Sequence, residues 1–240
     1  MEVHVPEHPI HTWREFFSHI GIVTIGLLIA IAMEQGVEAL HDRHQRNELR
    51  EALQQDGERS VADTDRLLQN QHQRITWLNM RLAQVRTAIA EHKALAPGGA
   101  ANFIDYDLPD MPVWHAARSA GTLELLVQKD LRAWSEVDLA LAGISTSYPE
   151  QMIAVRKRRA FESQFSNQVG QPPLRPVPAE LLPRYFDLLS EEAGSVFALQ
   201  SDAAELKGAA EAVISGERDL DKIQDAERPA GIPVNRDRQQ

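Results

Sequence analysis

Glu38 and His41 stand three residues apart, and E-x-x-H on a helix aims two ligands the same way, as in ferritin-like di-iron proteins. Such a centre requires a second E-x-x-H and two further glutamates. No other histidine of the chain has a glutamate three places before it, so a second copy of the chain would have to complete the set. His4, His8, His11 and His19 precede the apolar segment and His41 and His44 follow it, which suits side chains that tolerate a headgroup region. His19 and His41 on one helix would stand about 33 Å apart, too far to share a haem. Asp105, Asp107 and Asp110 resemble a hard-cation loop but lack the glycine and closing glutamate of an EF-hand. The chain has no cysteine, which removes thiolate metal sites, disulfides and cysteine nucleophiles. It also has no G-x-S-x-G, S-x-x-K, H-E-x-x-H, phosphate loop or dinucleotide fingerprint. The expectation is a protein that is not an enzyme, with no catalytic residue, no metal and no cofactor.

Binding chemistry has better candidates. Glu34, Gln35 and Glu38 close an apolar run, and acids at a membrane edge either reach water or meet a partner subunit. Gly26 with Ala30, and Ala32 with Gly36, are small residues four apart, a spacing that lets two helices approach closely. Arg156, Lys157, Arg158 and Arg159 form the densest basic cluster. On a helix these four spread around the circumference, so they read either as a solvated face or as a contact for anionic lipid or an acidic partner.

The element that positions the first two groups is apolar. From Ile20 to Met33 the chain reads IGIVTIGLLIAIAM with no charge; Trp13, Phe16 and Phe17 extend it backward and Val37, Ala39 and Leu40 forward. The core alone is short of the roughly 20 residues a span wants, but the extended segment suffices. A cleaved signal peptide and a buried core helix are the competing readings. The first wants a basic leader, whereas Glu2, Glu7 and Glu15 outnumber Arg14; the second wants a polar stripe, which this run lacks. Arg14 on one side against Arg43, Arg46 and Arg50 on the other favours a cytoplasmic soluble part. The acids interleaved with those arginines leave the side open.

The run FFSHIGIVTIGLLIAIAMEQGVEALHDRHQ and the later stretch VWHAARSAGTLELLVQKDLRAW together resemble a group of uncharacterised bacterial single-pass inner-membrane proteins. That group carries a Gly-Leu-Leu-Ile-Ala anchor, and a Trp, then Ser-x-Gly, then Leu-rich pattern. The resemblance covers about a fifth of the chain. It implies a helical inner-membrane protein, leans toward a periplasmic domain, and carries no activity.

The remaining chain reads as helices. No proline interrupts it before Pro97, and Val61, Leu68, Ile75, Leu82 and Ile89 recur every seven residues with Leu78 and Val85 beside them. Thr64, Gln71 and His92 fill the other offsets, which suits bundle packing better than an ideal dimeric coiled coil. Asp110 and Thr122 are candidate helix caps, and a helix is expected from about Asp130 to Gln168 with a kink at Tyr148-Pro149. After QPPLRPVP, Leu182, Tyr185, Leu189, Val196, Leu199, Ala203, Leu206, Ala210 and Val213 step along one face, interrupted only by Glu192.

These patterns predict an all-α protein. Its parts are an N-terminal tail (1–15), a transmembrane helix (16–40) continuing into a long helix, an antiparallel bundle of about four helices (41–215) and a polar, disordered tail (216–240). A net charge of -10 has the wrong sign for coating nucleic acid. The expected partners are the lipid bilayer and other membrane protein subunits, or a second copy. The expected role is an accessory or scaffold subunit of a membrane complex. The rival is an extracytoplasmic helical sensor that binds a small ligand and signals through a partner.

Overall fold

A computed structural model describes residues 13–98, 107–167 and 173–227. Among them every regular element is a helix: α1 (Trp13–Ala90), α2 (Pro112–Ala120), α3 (Gln128–Glu162), α4 (Leu182–Ile214) and α5 (Leu220–Glu227), with short 3₁₀ turns between. The expected all-α class is what the chain forms. The only β-type pairing among these residues is one bridge between Leu95 and Val177. Two compact units divide at Arg50 and Glu51.

In the first unit, residues 13–50 are helical throughout, and among the described side chains none is buried. The second unit has a core. From residue 51 onward α1 buries Leu53, Leu67, Leu78, Leu82, Val85 and Ala88. Gly57 meets Trp134, Gln71 meets Gln151 and Trp77 lies under Arg158, so contacts climb together and α1 runs parallel to α3. Against α4 they run in opposite senses, from Gln54 with Ile214 through Arg74 with Glu192 to Arg81 with Tyr185. Parallel neighbours demand a returning connection. Residues 91–127 supply it: Leu95 pairs with Val177, yet Val113 donates its N–H to Asp56, far back along α1.

Local chemistry fixes the ends. Helix α2 opens with Pro112 at its first position and stops at Gly121, whose φ of 75° is the left-handed conformation glycine tolerates. Asp110 does not cap α2 as expected. Its Oδ1 accepts from Met111 N, while the first-turn Val113 N–H is held by Asp56 at 2.9 Å across 57 residues of sequence. Thr122 begins a 3₁₀ turn. Helix α3 continues across Pro149, which faces solvent, and ends at Glu162 rather than Gln168. The polar tail expected from Gly216 starts otherwise: Leu220–Glu227 is helical and buries Ile223. Residues 228–240, and the histidines at 4, 8 and 11, lie outside the described residues.

Candidate functional site

Two features compete for the role of site. The first is α1 from Trp13 to Leu40, where every Trp, Phe, Ile, Leu, Val and Met side chain is exposed, from 40% at Ile31 to 76% at Trp13. Such a surface exceeds what water-facing monomers carry. It is one helix long and apolar enough to cross a membrane by length and composition, a test that a signal sequence also passes. Trp13 packs edge-on against Phe16 at 5.9 Å and stacks on Phe17 at the same separation, clustering large rings at one end of the run. Gly26, Ala30, Ala32 and Gly36 are exposed, and a side chain at either glycine would meet nothing within 4 Å. Glu34, Gln35 and Glu38 are exposed just beyond. His41 hydrogen-bonds Gln45 and His44 pairs with Glu48 at 3.2 Å, both one turn on. No set of three potential metal ligands converges among the described residues.

The second feature lies inside residues 51–240. Glu192, fully buried, accepts from Arg74 Nη1 at 3.2 Å and from Arg158 Nε at 2.5 Å. Arg158 Nη1 donates to Glu162 Oε2 at 2.5 Å, and the Tyr185 hydroxyl donates to Glu162 Oε1 at 2.6 Å. Arg81 Nε in turn donates to that hydroxyl at 3.4 Å and its Nη2 to the Ala96 carbonyl at 3.2 Å. Three helices thus share one buried chain of charge. Burial by itself lowers the Arg158 pKa, but Glu192 and Glu162 together outweigh it and the pKa rises. Burial, reinforced by the Glu162 charge, pushes the Tyr185 hydroxyl well above its ordinary range. The guanidinium of Arg158 also covers the Trp77 ring at 5.0 Å, and Phe161 stacks on Tyr185 at 5.2 Å. Aromatic faces and carboxylates together close the network off from solvent.

The basic cluster therefore divides. Arg156 and Arg159 face solvent and Lys157 pairs with Glu191 at the surface, but Arg158 is 3% exposed and committed to two glutamates. A contact of Arg158 with anionic lipid or an acidic partner is ruled out by that burial, because its position on α3 turns it into the three-helix interior. Sequence reading missed the network. Its signals were present: Glu192 breaks the α4 stripe, and Arg74 and Arg81 recur seven residues apart in phase with Leu67 and Ala88. Comparison with protein-family models, with curated proteins and with solved structures returned no match for this chain.

Proposed function

We propose that the protein is a membrane-anchored, non-enzymatic helical protein, an accessory or scaffold subunit of a membrane complex, with the lipid bilayer and another membrane subunit or a second copy as its partners. One observation carries the reading: the run of exposed apolar side chains from Trp13 to Leu40, in a chain whose residues 51–240 bury their own core. Exposed to water, that area would cost about 25 cal/mol per Å² relative to lipid or protein contact. Phe16 to Leu40 rises about 37 Å as helix, enough for roughly 30 Å of hydrocarbon with some tilt. Glu34, Gln35 and Glu38 then emerge at the edge, where a neighbouring subunit is reachable. Gly26, Ala30, Ala32 and Gly36 offer that neighbour close backbone approach. In the core, Arg74 and Arg158 pair with Glu162 and Glu192 between packed helices rather than facing a cleft, which supports a structural role for residues 51–240. There α1, α3 and α4 form the heart of a helical bundle.

Solubilisation in mild detergent followed by affinity purification tests the role. The expected outcome is a stoichiometric membrane partner or a stable homo-oligomer; a lone monomer overturns it. A bacterial inner-membrane location with the large unit in the periplasm follows the resemblance and opposes the basic count. Protease added to spheroplasts should then digest residues 51–240. Protection of that unit reverses the orientation, and a mature chain beginning at Met33 replaces the anchor by a cleaved signal.

A further inference from the structure

Helices α3 and α4 leave a groove of about 420 Å³ on the surface of the second unit, lined by Ala154, Gly194 and Ala198 with Glu150 and Glu191 beside them. A knob stands next to the hollow: Ile153 on α3 is 49% exposed, while a side chain at Gly194 on α4 would meet nothing within 4 Å. One turn from Gly194, Phe197 is 69% exposed, so this face keeps apolar area in water. The two helices are antiparallel, since Lys157 pairs with Glu191, Glu162 accepts from Tyr185, and Gly143 lies against Asp202. On that register Ile153 and Gly194 stand at one height along the bundle. Lys157 and Glu191 share the next height, and both are about half exposed, so each keeps room for a second partner.

We propose that the α3–α4 face is a docking surface for a second copy of this chain, related to the first by a two-fold axis parallel to both helices. Such an axis keeps heights and exchanges the helices, so α3 of each copy lies over α4 of the other. Ile153 then enters the hollow at the partner's Gly194, and Lys157 meets the partner's Glu191. Two observations select this occupant. Knob and hollow lie at one height on one face, which is what a self-complementary contact requires. The charges match in the same register: two Lys157 and two Glu191 side chains alternate around the axis as a neutral square. A basic partner would be opposed by Lys157 and an acidic one by Glu150 and Glu191, whereas a second copy answers both signs. A two-fold axis across the helices instead sets the Ile153 side chains against each other and leaves the two hollows facing, unfilled. Helix α5 ends against Gly208, about 21 Å from Gly194 along α4, which leaves the hollow open. The inference rests on the second-copy branch of the role proposed above and places that contact on residues 51–240, independent of the anchor.

Absence of native cysteine makes the test clean. Two full-length chains, one with Ile153→Cys and one with Gly194→Cys, are co-expressed, solubilised in mild detergent and gently oxidised. The disulfide between them should form about tenfold faster than one between Gln84→Cys and Gly194→Cys chains, and faster than either variant with itself. Gln84 is exposed on α1 and does not line the groove. Lys157→Glu on the Ile153→Cys chain should slow trapping about threefold, and Glu191→Lys on the Gly194→Cys chain should restore it. That rescue belongs to the contact between copies, because the pair within each chain is then broken in both. In native membranes, a benzophenone amino acid in place of Phe197 should add the mass of a second copy on irradiation. Rates equal to the Gln84 control overturn the proposal, as does a benzophenone adduct with any other protein. Fastest trapping of Ile153→Cys with itself overturns it in favour of the crossed arrangement. A homo-oligomer that persists without these adducts puts self-association on the anchor, so the groove fails while the proposed role stands.

Discussion

Two adjacent glutamates on α4 show how position decides the worth of a charge. Glu191 meets Lys157 in solvent, with both side chains about half exposed, whereas Glu192 sits between two buried guanidinium groups. Glu191→Ala should cost under about 1 kcal/mol, since exposed pairs contribute little. Glu192→Ala leaves Arg74 and Arg158 facing an emptied position and should cost about 3–5 kcal/mol. Urea midpoints of the two variants provide the comparison, and similar losses would mean that the network is hydrated. Asp56 carries a pH signature of the opposite kind. Burial raises its pKa above the ordinary carboxylate range, against the Val113 and Trp114 N–H groups and Arg59, which lower it. A raised folded pKa means that the contribution of Asp56 is full below its unfolded value and lost as pH rises through the folded one. Asp56→Asn keeps an acceptor for Val113 and does not ionise. Its stability relative to the native protein should therefore improve between acid and neutral buffer, while Asp56→Ala loses the α2 cap for about 0.5–2 kcal/mol. A gap between Asp56→Asn and the native protein that does not change with pH would remove the carboxyl from this account.

At the scale of elements, the heptad on α1 is right in kind and off in phase. Leu82 is buried, and the companions Leu78 and Val85 are too, but Val61, Leu68, Ile75 and Ile89 sit at the margin. The buried line passes instead through Leu53, Ser60, Thr64, Leu67, Gln71, Arg74, Leu78, Arg81 and Val85. A hydrophobicity pattern sees only the apolar members of that line. Buried arginines are invisible to it, because Glu192, which pairs with Arg74, and Tyr185, which accepts from Arg81, lie 118 and 104 residues away in sequence. The α4 stripe was legible for the converse reason: its buried face is apolar except at Glu192 and Tyr185. The all-helical class could thus be read locally, whereas the parallel course of α1 with α3 depends on a connection between them that no local signal encodes. Leu67 and Leu68 test the phase with neighbours. Leu67→Ala should cost about 2–5 kcal/mol and Leu68→Ala clearly less; equal losses would restore the original seam. Gly208→Ala tests the seat of α5, since its methyl group would meet the Ala226 carbonyl. That helix should detach, lowering stability by about 1–3 kcal/mol and exposing the amides of residues 220–227 to exchange.

The whole molecule joins two units that ask for different surroundings. Among the described side chains of residues 13–50 none is buried, so their apolar surface finds no cover within that unit. Residues 51–240 close their core with Trp134 packed on Gly57, with Tyr185 and Phe161 stacked, and with Arg218 Nε bound to Asp130 Oδ1 at 2.5 Å across α3 and the α4–α5 turn. A protein beginning at Glu51 should therefore be soluble without detergent, keep its helices and melt in one cooperative transition. The full chain, by contrast, should stay with the membrane pellet through an alkaline carbonate wash. The comparison separates causes. If the shortened protein aggregates or melts without cooperativity, the apolar surface of residues 13–40 is a missing part of its core, and the exposed helix is a packing element rather than an anchor. If the full chain washes off while the shortened one folds, the apolar run is held by a peripheral protein partner, and lipid is not what covers it.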